Sequence, residues 1–154
     1  MFDVRVLYGT ESGNAEMVAD EVVTALASEG FAVTPEELAD VDVASLQPGQ
    51  FVFLICSTYE EGDLPASAQP FFGALQADAP DLEGVHFFAL GLGDSSYEFY
   101  SRGIETLSEA LQNAGATQMA DILKHDALSG TDPALVGAEW AVASLESLTP
   151  ALSR

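Results

Sequence analysis

The chain of 154 residues carries 25 acidic and four basic side chains, which give a net charge of −21 with histidine neutral. A surface of this kind repels nucleic acid and anionic membranes, and it attracts basic protein partners. Apolar residues make up 48% of the chain, which excludes a disordered polypeptide, and no apolar run reaches the length of a membrane span.

The length predicts a single domain over residues 1–154, and we expect a monomer. The N-terminus enters a strand pattern without a basic-then-apolar leader, and the single cysteine, Cys56, cannot form an internal disulfide. Both features predict a cytoplasmic protein. The acidity has two interpretations that stay open together: docking of basic partners, or a halophile-like surface in which lysine is almost absent.

Apolar runs and helical patterns alternate along the chain. In chain order, the patterns predict a strand at 4–8, a helix at 14–29, a strand at 31–35, an acidic irregular stretch at 36–49, a strand at 50–56, a helix at 65–76, a strand at 85–92, a helix at 104–114, a strand at 117–123 and a helix at 132–148. The run at 50–56 is continuously apolar, which is typical of a strand buried on both faces.

This alternation predicts an α/β fold with a five-stranded parallel sheet and helices on both faces. Five strands in a chain of this length favour the strand order 2-1-3-4-5. In such a sheet, ligands bind beyond the carboxyl ends of the strands, where the strand order reverses. Three unusual loops leave that edge, and they are called loops one, two and three below.

Loop one follows the first predicted strand and contains small and hydroxyl-bearing residues. It comprises Gly9, Thr10, Glu11, Ser12, Gly13, Asn14 and Ala15. Its backbone N–H groups can converge on one anion at the start of the next helix, and it contains no lysine or arginine. The loop therefore predicts a cradle for a single phosphate held by neutral donors, with an ordinary helix cap by Ser12 or Asn14 as the alternative.

Loops two and three each place a tyrosine at the same edge. Tyr59 belongs to loop two, residues 57–65, and Tyr97 belongs to loop three, residues 91–100. Each tyrosine taken alone is also explained as a surface or packing residue. Together with loop one, they describe a ligand with one phosphate and a flat aromatic ring between two tyrosines, and flavin mononucleotide (FMN) fits that description.

The same three loops resemble those of flavodoxins over nearly the whole chain. "GTESGNAE" resembles the phosphate loop of flavodoxins and of the FMN domains of diflavin reductases, and "STYEEGDLP" resembles their second flavin loop. "ALGLGDSSYEFYSRGIETLSEAL" resembles the third loop very closely, and "GDLPASAQPFFGALQADAPDL" is similar to the small, stand-alone MioC-like flavodoxins. The resemblance implies a flavodoxin-like fold with FMN as cofactor.

The resemblance also implies which residues bind FMN. Those around the phosphate would be Thr10, Glu11, Ser12, Gly13, Asn14 and Ala15. Those on one side of the ring would be Ser57, Thr58, Tyr59 and Gly62. Those on the other side would be Leu92, Gly93, Asp94, Tyr97, Phe99 and Tyr100, with Tyr97 stacked on the ring. The chain departs from related FMN domains in placing Glu60, rather than glycine, directly after Tyr59.

By this resemblance the protein is an electron carrier rather than an enzyme, without catalytic residues. It would take electrons from a separate basic-faced reductase, pass them to an acceptor protein, and lack a site for NADPH. Two alternatives are a receiver domain of two-component signalling, for which Lys124 is the only suggestive match, and an FMN-dependent quinone reductase. His86 and His125 have no companions at metal-ligand spacing, so we expect no metal, and we expect each histidine to be structural or solvated.

Overall fold

The computed structural model describes residues 3–10, 13–57, 64–78, 80–93, 102–126 and 129–152. The strands are β1 Asp3–Gly9, β2 Pro35–Glu37, β3 Gln50–Ser57, β4 His86–Gly93, β5 Thr117–Gln118 and β6 Leu123–Asp126. The helices are α1 Asn14–Ser28, α2 Gln69–Asp78, α3 Arg102–Asn113 and α4 Pro133–Leu152, and two short 3-10 turns lie at Leu38–Asp40 and Val43–Ser45. Within these residues, no helix is both long and apolar enough to cross a membrane.

The described strands form one parallel sheet in the order β2-β1-β3-β4-β5, and β6 also pairs with β4. The predicted α/β class and strand order are therefore confirmed. The three long strands β1, β3 and β4 occupy the centre of the sheet, and the short strands lie at its two edges. This placement explains why only the central strands appear in the sequence as long apolar runs.

Two hydrophobic clusters fill the two faces of the sheet. One joins α2 and α3 to side chains such as Leu54 and Cys56, and the other joins α1 and α4 to Phe53 and Ile55. Successive residues of β3 therefore enter opposite cores, as the period of a strand requires. The Trp140 ring of α4 packs edge-on against Phe53, with centroids 5.4 Å apart and an interplanar angle of 88°.

The second strand lies later in the chain than predicted. Pairing begins at Val6 with Pro35, whereas residues 31–34 are a connection without strand structure. Phe31 and Val33 pack against the core beside α1, which gives the connection the alternating apolar pattern of a strand. The short β2 is held on β1 by Arg5, whose guanidinium contacts both carboxylate oxygens of Glu36 at 2.7 and 3.0 Å.

The predicted fifth strand at 117–123 is in fact two short strands. Gln118 pairs with Phe87, and Leu123 pairs with Leu90. The chain therefore advances five residues along the edge of the sheet while β4 advances three. The extra residues leave the ladder between the two strands in the manner of a bulge, and the side-chain amide of Gln118 donates to the carbonyl of Ala120 at 2.8 Å.

The predicted start of α1 at residue 14 is confirmed, and the other helix boundaries differ from the predicted ones by up to four residues. The two differences of four residues are at the start of α2, which is Gln69 rather than Pro65, and at the end of α4, which is Leu152 rather than Leu148. Pro65 instead opens a turn, in which its carbonyl accepts from the N–H of Ala68 at 2.9 Å. Proline is favoured at both kinds of position, so the pattern alone does not separate them.

Candidate functional site

The carboxyl ends of the central strands lie side by side. Gly9 of β1 pairs with Cys56 of β3, and Ser57 of β3 pairs with Leu92 of β4. Loops one, two and three therefore start at neighbouring points on one edge of the sheet. This is the edge at which the strand order reverses between β1 and β3, as predicted.

The structure describes part of the predicted site. The described members are Thr10, Gly13, Asn14, Ala15, Ser57, Leu92 and Gly93. The members outside the described residues are Glu11, Ser12, Thr58, Tyr59, Gly62, Asp94, Tyr97, Phe99 and Tyr100. The described members all lie at the carboxyl edge of the sheet or in the first turn of α1.

Loop one is folded by its own hydrogen bonds. The N–H of Gly13 donates to the side-chain oxygen of Thr10 at 2.7 Å, which leaves the hydroxyl hydrogen of Thr10 able to donate elsewhere. Gly13 has a φ of 94°, in the left-handed region that glycine adopts freely, and it is the N-cap of α1. Asn14 is the first residue of the helix, so a cap by Ser12 or Asn14 is wrong.

The start of α1 is suited to a single anion. Its cap, Gly13, has no side chain and so offers no oxygen to the N–H groups of the first helical turn. Asn14 is exposed beside these groups, whereas the small Ala15 is fully buried and brings the helix close to the sheet. The helix dipole adds a positive end at the same point.

The starts of loops two and three lie next to loop one. Ser57 is half-buried, and its hydroxyl lies 3.5 Å from the carbonyl oxygen of Gly9. Leu92 is buried and Gly93 is half-buried at the end of β4. Cys56 is fully buried one residue before Ser57, and burial raises the pKa of its thiol. Cys56 is thus a small core residue rather than a reactive thiol.

Two features of this edge were absent from the sequence-based prediction. The first is Ser67, whose hydroxyl forms hydrogen bonds with the backbone of Thr10. The second is a fourth loop after β6, since Asp126 pairs with Gly93 at the end of β4. The prediction joined β5 and β6 into one strand that ended at residue 123, three residues before the end of β6. It therefore did not place a loop after Asp126.

His125 holds the fourth loop in place. Its Nε2 lies 3.1 Å from the carbonyl oxygen and 3.0 Å from the hydroxyl of Thr131, and the ring is buried. A carbonyl only accepts, so Nε2 carries the hydrogen. His86 stacks on Phe51, with centroids 5.0 Å apart. Among the described residues, no group of three potential ligands could hold a metal ion.

Tyr8 links β1 to the first turn of α1 beneath loop one. Its hydroxyl donates to a carboxylate oxygen of Glu16 at 3.2 Å. Burial, followed by the negative charges of Glu16, Glu37 and Asp20, raises the pKa of Tyr8 from 10.0 to about 12. All of these causes disfavour a phenolate at this position.

Folding stability should therefore depend on Tyr8 at alkaline pH. The raised pKa contributes stability that is fully present below pH 10.0 and is lost as the pH rises to about 12. The free energy of unfolding should fall by on the order of 1 kcal/mol across this window through Tyr8 alone. Urea unfolding at several pH values measures it, and the Tyr8→Phe variant should lack that part of the slope. Parallel pH profiles for the two proteins would contradict the assignment.

Comparison with known proteins agrees with this geometry. The family model described as Flavodoxin matches residues 6–139. The chain is 34% identical over 140 residues to Protein MioC of Escherichia coli O157:H7, with 91% of this chain and 94% of that protein covered. It is 33% identical over 150 residues to the sulfite reductase [NADPH] flavoprotein alpha-component of Bacillus subtilis, with 97% of this chain but 24% of that protein covered.

Solved structures show the same architecture. A C101S mutant of flavodoxin from Pseudomonas aeruginosa superposes with a TM-score of 0.84 at 26% identity, with 96% of this chain and 99% of that chain covered. Oxidised Flavodoxin 2 from Bacillus cereus superposes with a TM-score of 0.80 at 26% identity, with 94% and 99% covered. The fold and its loop-bearing edge thus define a flavin-binding α/β protein.

The chain belongs to the flavodoxin family. Flavodoxins bind FMN, and the protein is an FMN-binding electron-transfer protein. The described residues fit this cofactor, because Gly13 caps α1 without a competing side-chain oxygen and the Thr10 hydroxyl lies beside the N–H groups of the first turn, an arrangement that can hold a phosphate. The receiver-domain alternative is therefore wrong. Lys124, its one suggestive residue, forms an ion pair with Glu105 at 2.8 Å.

Proposed function

We propose that the protein is a stand-alone electron carrier that accepts electrons from a separate reductase and passes them to an acceptor protein. The observation that carries the proposal is the meeting of three loop stems beside the glycine-capped start of α1. In this proposal the chain is one domain, acts as a monomer in the cytoplasm, and has no NADPH site. The pure protein mixed with NADPH should stay oxidised until a reductase is added. Direct oxidation of NADPH would favour the quinone reductase alternative.

The proposed binding residues divide by the part of FMN that they contact. The phosphate group is assigned Thr10, Glu11, Ser12, Gly13, Asn14 and Ala15. The flavin ring is assigned Ser57, Thr58, Tyr59, Gly62, Leu92, Gly93, Asp94, Tyr97, Phe99 and Tyr100. The positions of the described members at one sheet edge support this division.

Bound FMN supplies the electron chemistry, and the chain holds it and surrounds it with charge. Thr10 and the N–H groups at the start of α1 would hold the phosphate, and Leu92 at the buried end of β4 would contact the ring. Loops two and three add five acids, which are Glu60, Glu61, Asp63, Asp94 and Glu98. Negative charge close to a flavin disfavours its negatively charged reduced form, so acids carried by these two loops would lower the reduction potential.

Basic-faced proteins are the proposed partners. The chain has a net charge of −21, and complementary charge speeds encounter more than it strengthens a complex. The names of relatives point to NADPH-dependent systems as the source of electrons: the sulfite reductase [NADPH] flavoprotein of Bacillus subtilis and NADPH oxidoreductase A of Dictyostelium discoideum. This chain spans 24% and 20% of those two proteins.

The rate of reduction by a basic-faced NADPH-dependent reductase should fall steeply as salt rises. Salt screens the attraction between exposed charges, with a Debye length of about 10 Å at about 0.1 M. Stopped-flow reduction at increasing salt measures the effect, and light-driven chemical reduction, which needs no docking, is the control. If the acidity is only a halophile-like adaptation, salt should instead chiefly raise the melting temperature. A reduction rate that stays flat would count against steering.

A further inference from the structure

Ser67 binds loop one from a distant part of the chain. Its hydroxyl oxygen accepts from the N–H of Thr10 at 2.7 Å, and its hydroxyl hydrogen is directed to the carbonyl of Thr10 at 3.1 Å. A single hydroxyl therefore serves both backbone polar groups of the residue that follows β1. We infer that Ser67 is a positioning residue for the phosphate of FMN, acting through the backbone of Thr10.

Ser67 stands in residues 64–68, which lead from the end of loop two into α2 and are held by packing and hydrogen bonds. Its neighbour Ala68 is fully buried, and Leu64 at the start of the segment is buried as well. The N–H of Ala68 donates to the carbonyl of Pro65 at 2.9 Å, and the carbonyl of Ala68 accepts from Phe72 at 3.0 Å. The backbone on both sides of Ser67 is thus held by packing and hydrogen bonds, which fixes the position of its hydroxyl.

The absence of a side chain at Gly9 allows this segment to approach β1. A Cβ atom at Gly9 would lie 2.9 Å from the Cβ of Ala68 and 3.3 Å from the Sγ of Cys56. The first of these distances is shorter than packed side chains accept. Glycine at the end of β1 therefore lets the Ser67 segment lie directly against the strand, which brings the hydroxyl to Thr10.

Thr10 connects the hydrogen bonds from Ser67 to the start of α1. Its side-chain oxygen accepts from the N–H of Gly13 at 2.7 Å, and Gly13 caps α1. Fixing the backbone of Thr10 thus fixes the side chain that orients Gly13, and with it the first N–H groups of the helix. Ser67 has no need to touch the phosphate. The inference rests on the proposed phosphate site of loop one.

Titration of the full-length Ser67→Ala variant with FMN and, separately, with riboflavin tests the inference. Loss of two neutral hydrogen bonds to loop one should weaken FMN binding by about tenfold. Riboflavin lacks the phosphate, so its affinity should not change. Ser67→Thr, which keeps the hydroxyl, should bind FMN normally, whereas Ser67→Cys, a weak donor and acceptor, should resemble Ser67→Ala.

Ser28→Ala is the matched control. The hydroxyl of Ser28 donates to the carbonyl of Ala25 at 2.9 Å at the far end of α1, so the variant loses a hydrogen bond away from loop one and should keep its FMN affinity. Unchanged FMN binding by Ser67→Ala, or an equal loss for FMN and riboflavin, would overturn the inference alone. An unsubstituted chain that binds no FMN would overturn the proposed function together with it.

Discussion

Replacing Ser12 and Asn14 together by alanine should weaken FMN binding by about a hundredfold or more, because each hydrogen bond to a charged oxygen contributes about 1.5–3 kcal/mol. Asn14 is exposed at the first position of α1, where its side chain is free of a capping role. Ser12 lies outside the described residues, and its assignment to the phosphate follows from its place in the loop sequence. Riboflavin affinity should hardly change.

Fluorescence titration of both ligands measures this effect. A suitable control is the double variant Ser28→Ala, Asn113→Ala, which removes the same two side-chain types at the distant ends of α1 and α3. That control should bind FMN and riboflavin as the unsubstituted chain does. An equal loss of both ligands in the Ser12, Asn14 variant would mean that loop one does not hold the phosphate.

Gly91→Ala should destabilise the folded protein by about 1–3 kcal/mol through overpacking. A Cβ atom at Gly91 would overlap the Cγ2 of Ile104 and lie 3.0 Å from its Cβ. Ile104 is fully buried on α3, so it has no free space into which to move. The added methyl should push α3 away from β4 directly below loop three, and chemical denaturation should show a lower midpoint.

The cause can be isolated with two further variants. Ile104→Ala alone should lower the free energy of unfolding by about 2–5 kcal/mol. In the Gly91→Ala background the new methyl occupies part of the cavity that Ile104→Ala leaves. The double variant should therefore lose less stability than the sum of the two single losses. Gly73→Ala is the matched glycine control, because a Cβ at this exposed helical position meets nothing within 4 Å. It should stabilise the protein by about 0.5–1 kcal/mol. Additive losses at Gly91 and Ile104 would show that overlap is not the cause.

The centre of the fold was predictable from sequence because its signals are local. β1, β3 and β4 are buried, and their apolar runs stand out between helical patterns. The edges were not predictable in the same way. Phe31 and Val33 mimic a strand because they pack on the core from a connection, and the excursion at 119–122 has no strong turn signal beyond Asp121.

The candidate site shows the same division. Loop one was predictable because its small residues and the following helix are contiguous, although the cap proved to be Gly13 rather than Ser12 or Asn14. Ser67 was not predictable, because its partner Thr10 is 57 positions away and no local pattern joins them. Only the packing of Ala68 against Gly9 brings the two residues together.

Analysis of the flavin released from the purified protein tests the central claim most directly. The protein should be yellow and should release, on denaturation, one FMN per chain that was held without a covalent bond. FAD should bind far less well, because the single-phosphate cradle of loop one leaves no place for an adenylate. Stoichiometric FAD, or a colourless protein that does not take up added FMN, would contradict the account.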